Sequence, residues 1–580
     1  MIERAISLHK ERKLEEASEI YQEILKHSPR HFDALHFCGL LYAQVQQWDR
    51  ALELLARAVK ENDQSPSLLN NLGIVFKELK KFDEAISSFE KAVVLNPNYA
   101  EAYNNLGIVS QEQGKLHEAL IRYERAIALK SDYVEAHGNL GNVLGQLKSY
   151  EEAILSCDRA IEIKNDYAQA YFNKGIALSG LDRCEEAHLN YSRAISLNGN
   201  YVEAYFNRAI LFQETSELEA AVLDYKKAIV LRADYSQAHF NLGCVLILQN
   251  KLNEALVYFG KVIEIDKTHA EAHLNCGNIF KEFKLFSKAL SSYSKAIELK
   301  QDYAEAYGNR GSIHHEEGEF EKAIKDYKKA LSMNPMLTKI TFSLSSLGVG
   351  PTPNVMPTQP LIELFDNYAN KFDDHLIGLL GYQAPQILMN QLKRYQNYKI
   401  KQMLDLGCGT GLCGESFGSH AQVITGVDIS KKMLEQAKAK GIYSKLICAD
   451  IVDFLNNTTE QYDLVVSADV FIYMGELEQI FKDIASKLKI NGLFSFTIEN
   501  SQSPTFELKT TQRYGHSLPY ILQLASLNGF SVLEIKDVQL RREKDVFISG
   551  AAILMQHAGI SQVLKLKDFK KYAGPFNCSN

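Results

Sequence analysis

Residues 403–414 have the sequence MLDLGCGTGLCG, and this stretch decides the fold of the second half of the chain. An apolar run that ends at Asp405 and Leu406 predicts a buried parallel strand. Three glycines come next, at Gly407, Gly409 and Gly411. Glycines let the backbone turn sharply and approach a ligand closely before a helix begins. The stretch therefore predicts a cradle for a nucleotide-type cofactor.

The residues around this cradle narrow the choice of ligand. No Gly-Lys-Ser/Thr follows, which excludes a P-loop, and Leu412 occupies the place of the last glycine in a G-x-G-x-x-G dinucleotide fingerprint. The spacing is instead G-x-G-x-G after an acid. This pattern resembles motif I of the Rossmann-like S-adenosylmethionine methyltransferases, and the resemblance implies S-adenosylmethionine as the cofactor.

Strands and helical segments alternate after the cradle, where the apolar runs are VITGVDIS, KLICAD, YDLVVSADVFIY and GLFSFTIE. This order predicts a doubly wound parallel sheet, whose ligands lie at the carboxyl ends of the strands. Asp405, Asp428 and Asp450 each close a strand at that edge. Asp428 is expected to accept hydrogen bonds from ribose hydroxyls and Asp450 from an adenine amino group, although each acid alone also fits a helix N-cap. The predicted cofactor-binding set includes the residues that follow these two acids, Ile429 and Ile451.

The segment FSVLEIKDVQLRREKDVFISGAAILM predicts two long strands joined by a charged turn, with no helix between them. A terminal antiparallel hairpin resembles the end of class I methyltransferase sheets and differs from NAD-binding domains. Beyond the fold, residues 361–555 resemble a family of predicted methyltransferases attached to tetratricopeptide repeats, through segments such as LFDNYANKFDDHL, GYQAP and RYGHSLPYI. This resemblance implies the fold and the cofactor and leaves the methyl acceptor open.

Candidate catalytic residues follow the fourth and fifth predicted strands. Many amino-group methyltransferases carry Asn/Asp-Pro-Pro-aromatic after strand four, whereas this chain has SADVF. The departure disfavours nucleobase or glutamine N-methylation and leaves small-molecule, lysine and hydroxyl acceptors open. Asp469 is expected to orient the acceptor, with Tyr473 on the same helical face. Tyr514 and His516 form a polar cluster with Arg513 in a region predicted to be helical, where His516 is equally well explained as a base or as a capping or solvated residue.

Two aromatic residues of the helix that leads into this domain, Tyr368 and Phe372, are predicted to form a lid over the cofactor. Packing explains an aromatic pair at i, i+4 equally well. Cys408 and Cys413 flank the glycines without partners for a metal site, so no metal is expected.

The first 337 residues repeat every 34 residues. An alanine recurs in ten successive units without insertion or deletion, from Ala17 to Ala323. A small residue lies twelve positions before this alanine in most units, and an aromatic residue lies four positions after it. These residues match the tetratricopeptide repeat. The match implies an α-solenoid, a right-handed superhelix in which the first helix of each repeat lines the concave side.

Eight successive repeats carry an asparagine two residues before the small position. They are Asn71, Asn105, Asn139, Asn173, Asn207, Asn241, Asn275 and Asn309. An amide offers both a donor and an acceptor, so such a ladder is suited to pairing with a peptide backbone. The pattern resembles the asparagine ladder of protein O-GlcNAc transferases, but asparagine is also common here in repeat proteins without that function, and both interpretations stay open.

One position earlier, three adjacent repeats carry Phe172, Phe206 and Phe240. They form either an apolar patch for a partner or, as the favoured interpretation, packing between repeats. The histidines of the array, such as His314 and His315, lack metal-ligand spacing and are predicted to be solvated.

The predicted domains are ten repeats over 1–337, a capping helix and proline-rich linker over 338–360, a methyltransferase domain over 361–556 and a tail over 557–580. A net charge of −7 and a pI near 6.2 give no sign of a nucleic-acid or membrane partner, and the basic stretch 565–571 is short. Nine scattered cysteines and a charged, helical start predict a cytoplasmic protein.

The sequence thus predicts an S-adenosylmethionine-dependent methyltransferase of class I with a tetratricopeptide arm that recruits a protein or peptide. The acceptor is either a protein side chain or a small molecule. Two rival hypotheses stay open: an adaptor whose second domain binds cofactor with little catalysis, and a small-molecule enzyme that its arm docks into a complex.

Overall fold

The computed structural model describes residues 1–395, 400–543 and 546–558. The chain forms two compact units, which divide after Cys276. Most of the predicted tail, from residue 559, lies outside the described residues, and so does the basic stretch 565–571. Within the described ranges, no helix has both the length and the hydrophobicity that crossing a bilayer requires.

The first unit consists of paired helices, two to each 34-residue repeat. These are α1 (Ile2–Lys10), α2 (Leu14–His27), α3 (Phe32–Gln44), α4 (Trp48–Glu61), α5 (Pro66–Glu78), α6 (Phe82–Leu95), α7 (Ala100–Glu112), α8 (Leu116–Leu129), α9 (Val134–Gln146), α10 (Tyr150–Ile163), α11 (Ala168–Gly180), α12 (Cys184–Leu197), α13 (Val202–Glu214), α14 (Leu218–Leu231), α15 (Ser236–Leu248) and α16 (Leu252–Ile265). Helix α17 (Ala270–Glu282) contains the division between the units.

The small and aromatic positions of each repeat form the contact between its two helices. Ala119 and Tyr123 of α8 are fully buried. A Cβ atom on Gly107 of α7 would lie only 2.5 Å from Cε1 of Tyr123, so the aromatic ring needs a glycine opposite it. The same opposition recurs between Gly175 and Tyr191. The 34-residue pattern therefore reflects the packing between the two helices of each repeat. The predicted solenoid is confirmed.

The second unit begins with further repeat helices and continues into an α/β domain. Its helices are α18 (Phe286–Leu299), α19 (Ala304–Glu316), α20 (Phe320–Met333), α21 (Thr338–Ser346), α22 (Thr358–Tyr368), α23 (Ala384–Leu392), α24 (Leu412–Phe417), α25 (Lys431–Ala439), α26 (Ile451–Asn457), α27 (Glu478–Lys487) and α28 (Leu518–Leu527). Its strands are β1 (Ile400–Leu406), β2 (Ala421–Asp428), β3 (Lys445–Cys448), β4 (Tyr462–Ser467), β5 (Leu488–Glu499), β6 (Phe506–Leu508), β7 (Tyr514–His516), β8 (Phe530–Glu543) and β9 (Val546–His557).

Seven of these strands form one sheet in the order β3-β2-β1-β4-β5-β9-β8. Strands β1 to β5 pair in parallel, and β9 pairs antiparallel with both β5 and β8. Buried apolar clusters cover both faces, because β1, β4 and β5 are flanked by helices on either side. The predicted doubly wound sheet with a terminal antiparallel hairpin is confirmed.

Strands β6 and β7 form a separate two-stranded sheet that the sequence did not predict. The prediction of helix around Arg513 is wrong: Tyr514–His516 is a strand, and helix α28 begins only at Leu518. The Ser517 hydroxyl caps that helix by accepting the backbone N–H of Tyr520. We call residues 506–516 the β6–β7 hairpin.

Candidate functional site

The glycine loop between β1 and α24 turns on residues with positive φ. Gly407 has φ 69° and Gly411, the N-cap of α24, has φ 94°, values that side chains strongly disfavour. A Cβ on Gly407 would also clash with Cγ2 of Val470. At Gly409, whose φ is 52°, no described atom lies within 4 Å of the position that a Cβ would occupy. The loop is thus tight on the protein side and open on the side where a ligand would lie.

Asp428, at the carboxyl end of β2, supports this loop. Its Oδ2 accepts the backbone N–H of Gly409 at 2.8 Å and its Oδ1 accepts that of Ser430 at 2.8 Å. Burial raises the pKa of Asp428, while these backbone donors act in the opposite direction. Each carboxylate oxygen has a second lone pair, so the side chain retains acceptor capacity for a ligand.

Asp405 is the most constrained acid of the site. It is buried, and its Oδ2 accepts a hydrogen bond from the Tyr443 hydroxyl at 2.6 Å. Its Oδ1 is also buried and has no hydrogen-bond partner within the described part of the chain. Burial, assisted by the nearby charge of Asp428, raises the pKa of Asp405 to about 7. A buried acceptor without a donor beside an open glycine loop fits a ligand that brings its own N–H groups.

The segment from Asp366 to Asp373 is bonded to the residues around the loop. The Ser430 hydroxyl donates to Oδ1 of Asp366 at 2.5 Å, and Lys440 Nζ lies 2.8 Å from Oδ2 of Asp373. The Thr410 hydroxyl donates to the same Asp373 carboxylate. These bonds fasten the segment that contains Tyr368 and Phe372 to the glycine loop and the residues beside it.

Tyr368 and Phe372 contact each other edge to face, with ring centroids 5.5 Å apart. This direct contact supports the packing interpretation of the pair. The lid interpretation stays a prediction, and the attachment of their segment to the loop favours it.

Asp450 begins helix α26 as its N-cap. Its Oδ1 accepts the backbone N–H groups of Val452 at 2.8 Å and Asp453 at 3.3 Å. Both bonds use the same oxygen, so capping leaves Oδ2 available for an additional donor. Ile451 is buried and Ile429 partly buried.

Asp469, predicted to orient the acceptor, follows β4 in a left-handed conformation with φ 58°. Its backbone N–H donates to Thr497 Oγ1 at 2.8 Å. Its Oδ2 accepts a hydrogen bond from Nη1 of Arg541 at 2.7 Å, and Nη2 of the same buried guanidinium bonds Glu499. Lys509 Nζ lies 3.3 Å from Oε2 of Glu499. Two carboxylates and two cations thus alternate behind the carboxyl ends of β4 and β5.

Burial and the neighbouring charges shift the pKa values of Asp469 and of two nearby tyrosines. Burial raises the pKa of Asp469, and the guanidinium groups of Arg541 and Arg513 oppose that rise. Burial also raises the pKa of Tyr473, whose hydroxyl has a hydrogen bond with Arg513. The pKa of Tyr382 is raised by burial and by the negative charge of Asp469. Two neutral phenols therefore lie near one paired carboxylate.

His516 and Tyr514, the other predicted catalytic residues, are fully buried in β7. His516 Nε2 donates to the carbonyl of Gly475 at 3.0 Å, and its Nδ1 has no partner among the described residues. Burial lowers the pKa of His516 to about 4, so the ring is neutral. The Tyr514 hydroxyl donates to the carbonyl of Pro353 at 2.7 Å. Both side chains thus donate to backbone carbonyls, which favours positioning roles for both and disfavours the interpretation of His516 as a base.

The β6–β7 hairpin also contacts the last repeat helices of the second unit. The carbonyl of Thr510 accepts a hydrogen bond from His315 Nε2 at 2.7 Å, and Ser343 Oγ lies 3.3 Å from Oε1 of Gln512. The rings of Phe342 and Tyr514 have centroids 6.1 Å apart. The hairpin, whose Lys509 contacts Glu499 of β5, thereby joins helices α19 and α21 to the sheet.

The expectation that the array histidines are solvated is wrong for His315, which is buried and bonded as just described. His314 Nδ1 lies 2.6 Å from Glu319 Oε2. His314, Glu317 and Glu319 each offer one possible metal-ligand atom, and the three atoms lie within 4.8 Å of one another. The spacing of these residues along the sequence did not indicate this grouping.

Several ladder asparagines bond across neighbouring repeats, whereas Asn207 donates to the carbonyl of Glu203 in its own helix. Asn105 Nδ2 donates to Asn70 Oδ1 at 2.9 Å, and Asn139 Nδ2 donates to Asn104 Oδ1 at 3.1 Å. Asn173 Nδ2 donates to the carbonyl of Gly138 at 2.9 Å. The donors of these amides therefore tie repeats together, and peptide binding by the ladder stays a prediction.

The three phenylalanines follow the favoured interpretation, packing between repeats. Phe172 lies 4.9 Å from Tyr201 and Phe206 lies 4.8 Å from Tyr235, measured between ring centroids. Phe240 makes the equivalent contact with His269 at 4.8 Å. Each ring thus contacts the residue that opens the next repeat.

Four residues around Asp469 had no predicted role: Arg541, Glu499, Thr497 and Tyr382. The sequence places Arg541 in a charged turn between two strands, and its partners are 72 and 42 residues away along the chain. Tyr382 had a signal, because it belongs to the GYQAP segment that carried the family resemblance.

Known families match both parts of the chain. A family described as "Methyltransferase domain" matches residues 404–496. Families described as "Tetratricopeptide repeat" match residues 8–72, 64–132, 134–167, 236–269 and 304–337.

The curated relatives of this chain include two O-methyltransferases. Ubiquinone biosynthesis O-methyltransferase of Coxiella burnetii is 27% identical over 129 residues, which cover 21% of this chain and 55% of the relative. Malonyl-[acyl-carrier protein] O-methyltransferase of Priestia megaterium is 32% identical over 146 residues, 24% of this chain and 51% of the relative. The chain thus spans about half the length of these relatives.

Among solved structures, YrrB, described as a TPR protein with an unusual peptide-binding site, is 22% identical with a TM-score of 0.27, covering 32% of this chain and 96% of its own. PilF of Pseudomonas aeruginosa is 18% identical with a TM-score of 0.33, covering 36% and 94%. The family matches thus show tetratricopeptide repeats and a methyltransferase domain in the same chain.

Proposed function

We propose that the protein is a class I S-adenosylmethionine-dependent methyltransferase whose repeat arm recruits a protein or peptide. The observation that carries this proposal is the buried Oδ1 of Asp405, which lacks a donor among the described residues and lies at the end of β1 beside the open glycine loop. An ammonium group of the cofactor would supply the missing donor. The sheet order, with an antiparallel β9 between β5 and β8, supports assignment to class I.

In this proposal Asp428 and Asp450 bind the other parts of the cofactor. Asp428 accepts from the ribose hydroxyls with its remaining lone pairs, and Asp450 accepts from the adenine amino group with Oδ2. Ile429 and Ile451 provide apolar contacts to the adenine. Gly409 leaves room for the ligand against the backbone.

When bound, the cofactor supplies an electrophilic methyl group on a sulfonium. The main task of the protein is then to hold the acceptor in line, because proximity and orientation account for much of the rate of such a displacement. Asp469 lies at the carboxyl end of β4, and its ion pair with Arg541 favours the charged form. In that form it orients the acceptor by accepting a hydrogen bond from it. Tyr473 and Tyr382 line the same side.

We propose an oxygen acceptor as the first class to test, because both named relatives are O-methyltransferases. A hydroxyl acceptor donates a hydrogen bond to Asp469, which then receives its proton as the methyl group is transferred. His516 and Tyr514 assist indirectly in this proposal, by fixing the backbone at Gly475 and Pro353.

The proposed partner of the arm is a polypeptide. Asn105 and Asn139 use their amide nitrogens for the bonds between repeats, which leaves their carbonyl oxygens to accept from a polypeptide. The contact between His315 and the carbonyl of Thr510 supports this proposal, because a side chain of a repeat helix there binds the backbone of another segment.

Calorimetric titration of the full chain with S-adenosylhomocysteine tests the proposal. We expect micromolar binding by the wild type, loss of binding in Asp428→Asn, and unchanged binding in the control Asp453→Asn, whose side chain is exposed. Thermal unfolding of each variant shows whether it is folded. Absence of binding by the folded wild type would overturn the enzyme proposal.

A further inference from the structure

The second helices of five successive repeats carry an exposed aliphatic side chain at the same position. These residues, spaced 34 apart, are Ile121, Leu155, Leu189, Leu223 and Val257, with exposed fractions of 60, 69, 64, 70 and 62%. We call them the aliphatic stripe. They lie on α8, α10, α12, α14 and α16, all within the first unit. Single exposed leucines are ordinary, whereas an aligned row of five is typical of an interaction surface.

The stripe is not required by the repeat fold. The preceding repeat has Ser87 at this position and the following repeat has Ser291, both exposed, and their helices have the same length as the others. Five large aliphatic residues in succession therefore serve something outside the repeat itself.

Charged rows flank the stripe on both sides. Three residues before the stripe, the helices carry Glu118, Glu152, Glu186 and Glu254, and four residues after it they carry Arg125, Arg159, Arg193, Lys227 and Lys261. All of these residues are exposed. Residues at i−3, i and i+4 share one helix face, so each helix presents acid, aliphatic and base in line. Acids near a helix start and bases near its end are favoured by the helix dipole, but the dipole does not favour aliphatic residues between them.

We propose that the aliphatic stripe is the contact surface for a second copy of this chain. A two-fold axis parallel to the stripe places stripe against stripe and reverses the order of the flanking rows. The acidic row of each copy then faces the basic row of the other, on both sides of the apolar contact. A two-fold axis across the stripe would instead oppose like charges, so the charges select one arrangement. The ladder asparagines lie on the first helices of the repeats, outside the contact between the two copies.

Sedimentation velocity of the full chain between about 1 and about 50 micromolar, a range that spans common dimer affinities, tests the proposal. We expect a concentration-dependent species of twice the 65.4 kDa chain mass. Leu155→Glu with Leu189→Glu should raise the dimer dissociation constant at least tenfold, because a buried, unpaired carboxylate opposes the contact. Ser87→Glu with Ser291→Glu places the same charges in the neighbouring repeats and should leave the dimer unchanged. Circular dichroism melting confirms that each variant is folded.

A charge exchange tests the orientation of the two copies. Glu152→Arg alone should weaken the dimer because it faces Arg159 of the second copy, and addition of Arg159→Glu should restore it. A wild type that stays monomeric at the highest concentration overturns the proposal, as does a dimer that survives the stripe substitutions. Failure of the second charge change to restore dimerisation overturns the two-fold axis parallel to the stripe.

Discussion

The raised pKa of Asp405 predicts that cofactor binding strengthens as the pH rises through neutrality. With a pKa of about 7, the carboxyl is ionised in about 9% of molecules at pH 6 and about 76% at pH 7.5. A cationic amino group at Oδ1 requires the ionised form. The affinity for S-adenosylhomocysteine should therefore increase about eightfold over this interval. In Asp405→Asn this increase should disappear, and the affinity at pH 7.5 should fall.

The free protein should show the opposite trend in stability. The folded state holds the Asp405 proton more tightly than the unfolded state does, so the free energy of unfolding falls as the pH rises from about 4 to about 7. A difference of about three pKa units corresponds to about 4 kcal/mol. Asp405→Asn removes this contribution, so the variant should be more stable than the wild type at pH 7.5 while it binds more weakly.

Isothermal titration at four pH values between 6 and 7.5, at constant ionic strength, measures the binding trend. The other groups around Asp405 allow a clean assignment. Burial raises the pKa of Tyr443, Cys408 and Cys413, so these groups stay neutral throughout the interval. Asp428, whose pKa is also raised, is the competing source of a pH dependence. An Asp405→Asn variant with the wild-type pH slope would refute the reasoning and assign the titration to Asp428.

Three further predictions concern the loop, the buried charges and the boundary between the domains. Gly407→Ala should lower the free energy of unfolding by about 3 kcal/mol in urea titrations, because the substitution combines a clash with Val470 and a positive φ. Gly409→Ala should lower the free energy of unfolding by only about 1 kcal/mol, and its main effect should be loss of S-adenosylhomocysteine binding. Arg541→Met should destabilise the chain by about 3–5 kcal/mol at pH 8 and by less at pH 5, because burial raises the pKa of the Asp469 carboxyl, which then takes up a proton more readily; an equal loss at both pH values would contradict this account. A fragment of residues 277–580 should bind S-adenosylhomocysteine like the full chain, and a fragment of residues 355–580 should melt at a lower temperature, as differential scanning calorimetry will show.

The parts of the fold predicted from sequence are those that local patterns determine. Ala119 and Tyr123 recur at a fixed spacing because each repeat solves the same packing problem. Gly407 and Gly411 mark the cofactor loop because their φ angles of 69° and 94° are accessible to few other residues. Such signals are contained in short segments and need no knowledge of distant partners.

The parts that were missed depend on contacts between distant segments. Arg541 has no local feature that distinguishes it from a solvated strand residue, and its role arises only when β8 brings it to Asp469 and Glu499. The strands of the β6–β7 hairpin have three residues each, too short for an alternating pattern. His516 fits a base from its sequence context because its burial within that hairpin has no trace in the residues around it.

The position of the β6–β7 hairpin on the last repeat helices changes how the function of the arm must be tested. Ser343 follows the ladder residue Asn309 by 34 positions, so the hydrogen bond with Gln512 places the hairpin at a ladder position. The next residue of the hairpin, Arg513, has a hydrogen bond with Tyr473 on the proposed acceptor side.

Removal of every repeat therefore removes a support of the acceptor side along with the surface for a partner. A lower rate in an isolated 355–580 domain would not show that the partner is the substrate. The fragment 277–580 retains His315 and Ser343 and with them the hairpin contacts. If this fragment methylates a small molecule at the full rate, the arm is a scaffold. If the fragment is inactive and only the full chain methylates a polypeptide, the partner is the substrate.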